Sequence, residues 1–293
     1  MTLRGRRCTA WTSSKLSALS ATEIADKADD VRVGRRRCTT PPGRLAAVRD
    51  LADLDSLEDA DLAELYAYPA DLDRPWLRAN VVSTLDGAAS GADGSSRSIN
   101  NAADLRVFAL LRSLADVVLV GAGTARAEGY RPVRTREVWR ERRMAMGLTA
   151  TPALAVVTRS LDLPVDALEP VEGGGSVLVV TSSGADPTQV AAARGALGYD
   201  AVLQAGSDDV DLADALTQLG ERGLPRVLCE GGPRLLSDLA AANLVDELCL
   251  TVVPTLVGGL GARITSGGPL DVPMRLGHLV ESDGTLLTRW LRA

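Results

Sequence analysis

The segment from Arg226 to Leu239, Arg-Val-Leu-Cys-Glu-Gly-Gly-Pro-Arg-Leu-Leu-Ser-Asp-Leu, restricts the fold more than any other stretch of the chain. An apolar run ends in Glu230, breaks at Gly231-Gly232, and resumes with helical spacing at Leu235, Leu236 and Leu239. That order describes a buried strand, a tight turn and a helix whose first backbone N–H groups can be approached closely. Such a helix start carries partial positive charge and accepts phosphate. A carboxylate at the strand end beside it occupies the place where open α/β sheets bind nucleotides and substrates. The chain repeats the idea upstream, where Asp116-Val-Val-Leu-Val runs into Gly121-Ala-Gly-Thr-Ala-Arg. Two strand–glycine–helix junctions point to an enzyme that uses a nucleotide.

The intervening pattern supports an α/β class. Strands are expected at Trp76–Val82, Asp116–Val120, Ala153–Val157, Ser176–Val180, Ala201–Gln204, Arg226–Cys229 and Glu247–Val253. Helices are expected from Ser56 (as cap) to Tyr66, after Asn100 or Asn101 with Leu105, Phe108, Leu111 and Ala115 on one side, and at Thr135–Met146, Pro187–Leu197 and Asp211–Arg222. Arg275–Glu281 and Thr285–Arg292 read as a hairpin around Ser282-Asp283-Gly284. Alternating strands and helices closed by a hairpin predict a three-layer, mostly parallel sheet with helices on both faces. Asp116–Val120, with almost no polar residue, has the character of a strand buried on both sides.

With 293 residues and 46% apolar content the chain can bury a sizeable core. Residues 1–44 carry ten basic and four acidic side chains, while the whole chain is at −6, so the body from residue 45 onward is at −12. An acidic body argues against nucleic acid as the main partner, and no apolar run approaches membrane-spanning length. Arg6-Arg7 is not followed by an apolar export core, because Ser, Thr and Glu interrupt Leu16–Ile24. Residues 1–44 read as a basic, disordered leader or as the product of a start placed too far upstream. The expected division is then leader, helical lead-in at 45–73 and catalytic domain at 74–293, with a cytoplasmic location. The four cysteines show no CxxC spacing and His278 is the sole histidine, so no metal site is expected. His278 falls in a strand pattern and reads as structural.

Neither glycine junction is a complete known fingerprint. Gly121-Ala-Gly-Thr-Ala-Arg lacks the third glycine of a dinucleotide motif, and no GxxxxGK[ST] loop occurs. Taken in order, however, Arg74-Pro75, Ser83-Thr-Leu-Asp86-Gly87, Leu110-Leu-Arg112 leading to Asp116–Thr124, Glu230-Gly-Gly-Pro, Leu244-Val-Asp-Glu and Pro254-Thr-Leu-Val-Gly-Gly form a linked set. Over roughly residues 70–292 this set resembles the reductase domain of the riboflavin-biosynthesis deaminase/reductase proteins (the RibD C-terminal family). The stand-alone pyrimidine reductase-like proteins of actinobacteria are the nearest branch in pattern. The resemblance implies a dihydrofolate-reductase-like fold and a homodimer. It also implies transfer of hydride from NADPH to the ribosyl C1 of 5-amino-6-(5-phosphoribosylamino)uracil. A reductase of dihydrofolate or a pterin on the same fold, and a catalytically silent NADPH-binding protein, are the alternatives.

The same resemblance implies roles for individual residues. Gly121, Thr124 and the turn Gly231, Gly232, Pro233, Arg234 and Leu235 would hold the phosphates and ribose of NADPH, and Ser83 would line the nicotinamide pocket. Thr158, Arg159 and Ser160 would receive the adenosine 2′-phosphate, where hydroxyls and a guanidinium suit a dianion. Ser96 and Arg112 would contact substrate, Glu230 would accept hydrogen bonds from the pyrimidine, and Glu128 would lie where an acid could supply the proton. Asp86 is counted with the catalytic residues for its strand-end position, although Asp-Gly is also a common turn pair. Arg112 could instead complement a helix dipole, Glu128 could be a solvated helix residue, and the Arg134–Arg143 cluster reads as a wet helix face. Glu230 has the strongest claim, since a carboxylate ending a core strand is costly without a partner.

Two positions depart from the family pattern: Asn80 stands where many members have a substrate-contacting lysine, and Ser98 where a tryptophan often covers the cofactor. Residues 1–70 contain no histidine and no PCxxC, so no zinc deaminase centre is expected there.

Overall fold

A computed structural model describes residues 52–163 and 165–293, with the side chains of 165 and 166 excepted; the expectations for residues 1–44 lie outside that range. Among the described residues ten strands form one sheet in the order β1-β9-β10-β8-β2-β7-β3-β4-β5-β6. They are β1 (Ala52–Asp53), β2 (Trp76–Thr84), β3 (Val117–Gly121), β4 (Ala153–Val157), β5 (Val177–Thr181), β6 (Val202–Gln204), β7 (Arg226–Cys229), β8 (Glu247–Val253), β9 (Met274–Ser282) and β10 (Thr285–Arg292). From β8 to β6 every pairing is parallel, and β10 runs antiparallel to both β8 and β9. The fold class read from the sequence is the one observed.

Helices α1 (Asp59–Leu65), α2 (Ala102–Leu114), α3 (Ala122–Ala127), α4 (Glu137–Ala145), α5 (Val165–Leu168), α6 (Pro187–Leu197), α7 (Leu212–Glu221) and α8 (Pro233–Ala241) cover the sheet. The alternation along β3 assigns the faces. Val118 and Val120 join the core formed with α1, α2 and α4, whereas Val117 and Leu119 join the one formed with α7 and α8. All four are essentially inaccessible, as a strand buried on both sides requires.

Three local expectations are corrected. Ser56 does not cap α1; it ends a 3-10 turn, and Glu58 caps the helix in a reciprocal arrangement with Asp61. Leu105 is not on the buried side of α2 but 52% exposed, because the buried stripe is Ala103, Val107, Leu110, Leu111 and Leu114. Arg143 is not on a wet face. It is fully buried, and its guanidinium donates to the carbonyls of Ser113, Ala115 and Thr149, closing the C-terminal end of α2.

Strand order creates the site. The chain leaves β2 through α2 and enters β3, skipping the position that β7 later fills; β7 then returns through α8 to β8, on the far side of β2. The two crossovers lie on opposite faces of the sheet and diverge at the carboxyl end of β7. That divergence leaves a crevice at the strand ends, and Glu230 is the first residue after β7.

Candidate active site

The two glycine junctions lie against each other. Gly121 N–H donates to the carbonyl of Gly231 at 2.9 Å, joining the carboxyl ends of β3 and β7. A Cβ on Gly232 would stand 2.1 Å from Thr124 Oγ1, so any larger residue at 232 would force the Thr124 side chain to move. Gly231 has φ +89°, and the Gly231–Gly232 peptide is cis. No side chain caps α8 at Gly232, and Pro233 occupies the first helical position, where its missing N–H costs nothing. The turn therefore presents bare backbone at a helix start, the arrangement that suits a phosphate.

Beside it opens a cavity of about 270 Å³, lined among others by Asn80, Val82, Ser96, Asp104, Phe108, Thr124, Glu128, Tyr130, Glu230, Gly231 and Gly232. Glu230 is held at its wall by a fork from Arg112, whose Nε and Nη2 donate to the two carboxylate oxygens at 2.7 Å each. Tyr130 donates a third bond, Oη to Oε2, at 2.7 Å. Arg112 in turn lies over the Phe108 ring at 4.2 Å. Burial pulls the guanidinium down, but the charge and hydrogen bonds of Glu230 outweigh it, and Arg112 stays fully charged. Burial first, and Glu230 second, raise the Tyr130 phenol well above its ordinary range, so it remains a donor.

The structure places the remaining candidates unevenly. Ser96 lines the cavity, and its N–H and hydroxyl donate to Glu128 Oε1 at 3.2 and 3.1 Å; Arg97 pairs with the same carboxylate at 3.4 Å. Glu128 thus anchors the loop before α2 to the end of α3. Asp86 is exposed beyond β2 and away from the cavity lining. It accepts from Thr84 Oγ1 and from the N–H groups of Val257 and Gly258, which hold its carboxyl below the usual carboxylate range. Ser83 is buried and donates to the Thr84 carbonyl. Thr158 is buried just past β4, while exposed Arg159 pairs with Asp209 at 3.5 Å and Ser160 is exposed. Arg234 is exposed on α8 and Leu235 packs inward.

Ser98 bonds Asp93 Oδ1 at 2.7 Å and is not part of the cavity lining; the aromatic wall comes from Phe108 and Tyr130 instead. Sequence reasoning missed Tyr130 and Asp104 as cavity residues. Asp104 is the third residue after an Asn101 cap, and its acid reads as a helix-start residue until the cavity beside it is seen. His278 lies in β9 with its ring edge-on to Tyr66 at 4.5 Å between centroids, outside the cavity lining; burial lowers it to about 4. Among the described residues there is no cluster able to hold a metal, and no helix long and apolar enough to cross a membrane.

A parallel sheet with a glycine-lined crevice and a carboxylate at its switch point is the architecture in which α/β enzymes bind a nucleotide and its substrate, and comparison with known proteins makes this one a reductase. The chain belongs to the RibD C-terminal domain family, whose model matches residues 75–287. It is 32% identical over 187 residues to the 2,5-diamino-6-ribosylamino-4(3H)-pyrimidinone 5′-phosphate reductase of Archaeoglobus fulgidus, covering 64% of this chain and 83% of that protein. The protein of the same name from Methanothermobacter thermautotrophicus is 30% identical, with 67% and 85% covered. In fold it is similar to a pyrimidine reductase-like protein from Corynebacterium diphtheriae, with a TM-score of 0.68 at 23% identity, covering 79% of this chain and 98% of that one.

Proposed function

We propose that this protein is an NADPH-dependent reductase of a phosphoribosylated aminopyrimidine in riboflavin biosynthesis, acting at the ribosyl C1. The observation that carries the reading is the convergence of the two glycine junctions on one cavity wall, with the Arg112–Glu230–Tyr130 cluster beside them. NADPH bound at the crevice would supply the hydride. The residues present fit it: Gly121 and Gly232 bring no side chain of their own to the turn, Thr124 Oγ1 lies beside it, and the α8 start offers uncapped backbone to a pyrophosphate. Thr158 and Ser160, with Arg159 exchanging Asp209 for a phosphate, would select the 2′-phosphorylated cofactor.

The chain's own part is orientation. Phe108 and Tyr130 give a flat apolar wall for a heterocycle, and Ser96 fixes Glu128 at the cavity rim, where an acid could relay a proton. Arg112 has Nε and Nη2 committed to Glu230, so a substrate phosphate would meet its remaining nitrogen, Nη1. The homodimer belongs to the same proposal, with exposed Leu256 and Leu260 after β8 offering apolar surface for it. NADPH oxidation should be followed with the phosphoribosylaminouracil, its diaminopyrimidinone counterpart and dihydrofolate. Turnover of a phosphoribosylated ring is expected, and preference for dihydrofolate would overturn the reading. Glu230→Gln should keep NADPH binding and lose about 100-fold or more in kcat, since the carboxylate charge goes and an NH2 donor replaces one of the two oxygens that accept from Arg112 and Tyr130.

A further inference from the structure

Two of the linked sequence segments have no place in the cavity lining: Ser83-Thr-Leu-Asp86-Gly87 at the end of β2, and Pro254-Thr-Leu-Val-Gly-Gly after β8. They hold each other instead. Leu85 N–H donates to the Thr255 carbonyl at 2.9 Å, and Asp86 Oδ2 accepts from the N–H groups of Val257 and Gly258 at 3.2 and 2.6 Å. The carboxylate of an Asp-Gly turn ordinarily bonds backbone within its own turn; this one reaches across 171 and 172 positions. Its other oxygen accepts from Thr84 Oγ1, which fixes the side chain over its own strand end.

Beyond Gly258 the chain runs as a strap along the cavity. Residues 254–273 form no helix or strand and contain five glycines, and Gly258 and Gly259 both have φ +70°. Leu256 and Leu260 are exposed, so burial of side chains does not fix this stretch. Further along, Ala262 and Ile264 line the cavity, and the Ala262 carbonyl accepts from Ala89 N–H at 2.6 Å. Ser266 N–H then donates to the carbonyl of Pro233, the first residue of α8, at 3.1 Å. A glycine-rich segment has many conformations to lose on ordering, so the place of this wall rests on a few backbone bonds, and Asp86 accepts two of them.

We propose that Asp86 is a positioning residue: its carboxylate pins Val257 and Gly258, and through them sets the wall that Ala262 and Ile264 present to a ring in the cavity. It touches neither substrate nor cofactor and moves no proton. As a role in the reduction this rests on the reductase reading. Without the pin the strap samples other positions, and a ligand must select the ordered one. Apparent affinity then falls by the fraction ordered, while the saturated complex is the same. KM rises and kcat stays.

Two variants separate this role from acid–base chemistry. Asp86→Ala removes both acceptors, whereas Asp86→Asn keeps one oxygen for the two N–H groups and turns its NH2 toward Thr84 Oγ1. The Thr84 proton then has the Ala88 carbonyl, 3.3 Å away, as its acceptor. NADPH oxidation is followed with 5-amino-6-(5-phosphoribosylamino)uracil and its diaminopyrimidinone counterpart. Asp86→Ala should raise KM for the ring turned over about tenfold and leave kcat within about threefold, the effect of a strap ordered about one-tenth of the time. Asp86→Asn should match the wild type in both constants. Loss of kcat in Asp86→Asn, the result expected of a proton donor, or an unchanged KM in Asp86→Ala would overturn the proposal. Amide hydrogen exchange reads the pin without turnover: Val257 and Gly258 should exchange about tenfold or more slower in the wild type and Asp86→Asn than in Asp86→Ala. If Asp86→Ala does not fold, exchange in the wild type still decides, because the rates of unstructured peptide at those two amides would overturn the pin. No turnover of either ring by the wild type, with slow exchange at both amides, would sink the reductase reading and leave the pin in place. A normal KM in Asp86→Ala beside an active wild type would do the reverse.

Discussion

The two ends of the parallel strands use the same residue types for opposite purposes. At the amino ends, Glu247 at the start of β8 accepts from Arg78 at 2.6 Å, from Arg289 at 2.8 Å and from Trp76 at 3.2 Å, and neither Glu247 nor Arg78 is accessible. Asp246 is clamped by Arg74 and Arg292, and Asp116 by Arg226. At the carboxyl ends, Arg112 and Glu230 make an equally short pair, but the arginine keeps 26% of its side chain exposed and the glutamate lines a cavity. Short Arg–Glu distances therefore do not separate a structural pair from a functional one; access does. The sealed end ties strands together, whereas the open end holds charges at a surface that a ligand can reach.

This contrast can be broken most forcefully at Glu247. Glu247→Gln leaves Arg78 charged and buried with one amide oxygen and the Tyr68 ring, 4.0 Å away, in place of a carboxylate. The expected loss is about 3–5 kcal/mol of stability, read as a lowered midpoint in denaturant unfolding. Glu230→Gln should cost clearly less stability, because water can reach Arg112. Equal losses would show that the two pairs are the same kind of structure. At the open end, Gly232→Ala should lower NADPH affinity about tenfold or more while leaving the unfolding midpoint nearly in place, since the new methyl would push Thr124 from the turn. Adding Thr124→Ala removes the clashing oxygen, and recovery of binding would assign the loss to that contact.

The smallest effect belongs to His278, which pairs with Arg289 across β9 and β10 beside the sealed network. Its folded value, about 4, lies below the 6.5 of the free side chain, chiefly through burial and then through Arg289. The unfolded chain thus binds the extra proton between these values, so stability falls as pH drops from about 6.5 to 4 and is restored as pH rises. Partial exposure limits the change to about 1 kcal/mol. His278→Phe should flatten that part of the stability–pH curve; an unchanged slope would mean that the ring does not sense the network.

Much of the carboxyl end was legible because its chemistry is local. Glycines 121, 231 and 232, and Glu230 after an apolar run, announce a turn and a strand end within a dozen residues. The amino-end network was not legible. Arg78 and Glu247 are 169 positions apart and meet only through the β2–β8 register. Arg143 was misread for a related reason, since its helix looks basic all round until three carbonyls at the end of α2 and after α4 are found to need a donor. Asp86 illustrates a milder gap: its strand-end position was evident, but its hold on the Val257 and Gly258 N–H groups requires a loop more than 170 residues away.

By itself, then, the sequence determined the element types, the mostly parallel sheet, the two glycine junctions and the family, because periodicity and turn chemistry act over short distances. Tertiary structure alone decided that the junctions touch, that Glu230 is already held by Arg112 and Tyr130, and that Asp104 and Asn80 line the cavity. Those facts depend on strand order and register, which bring distant residues to one face and settle which charges water or a ligand can reach.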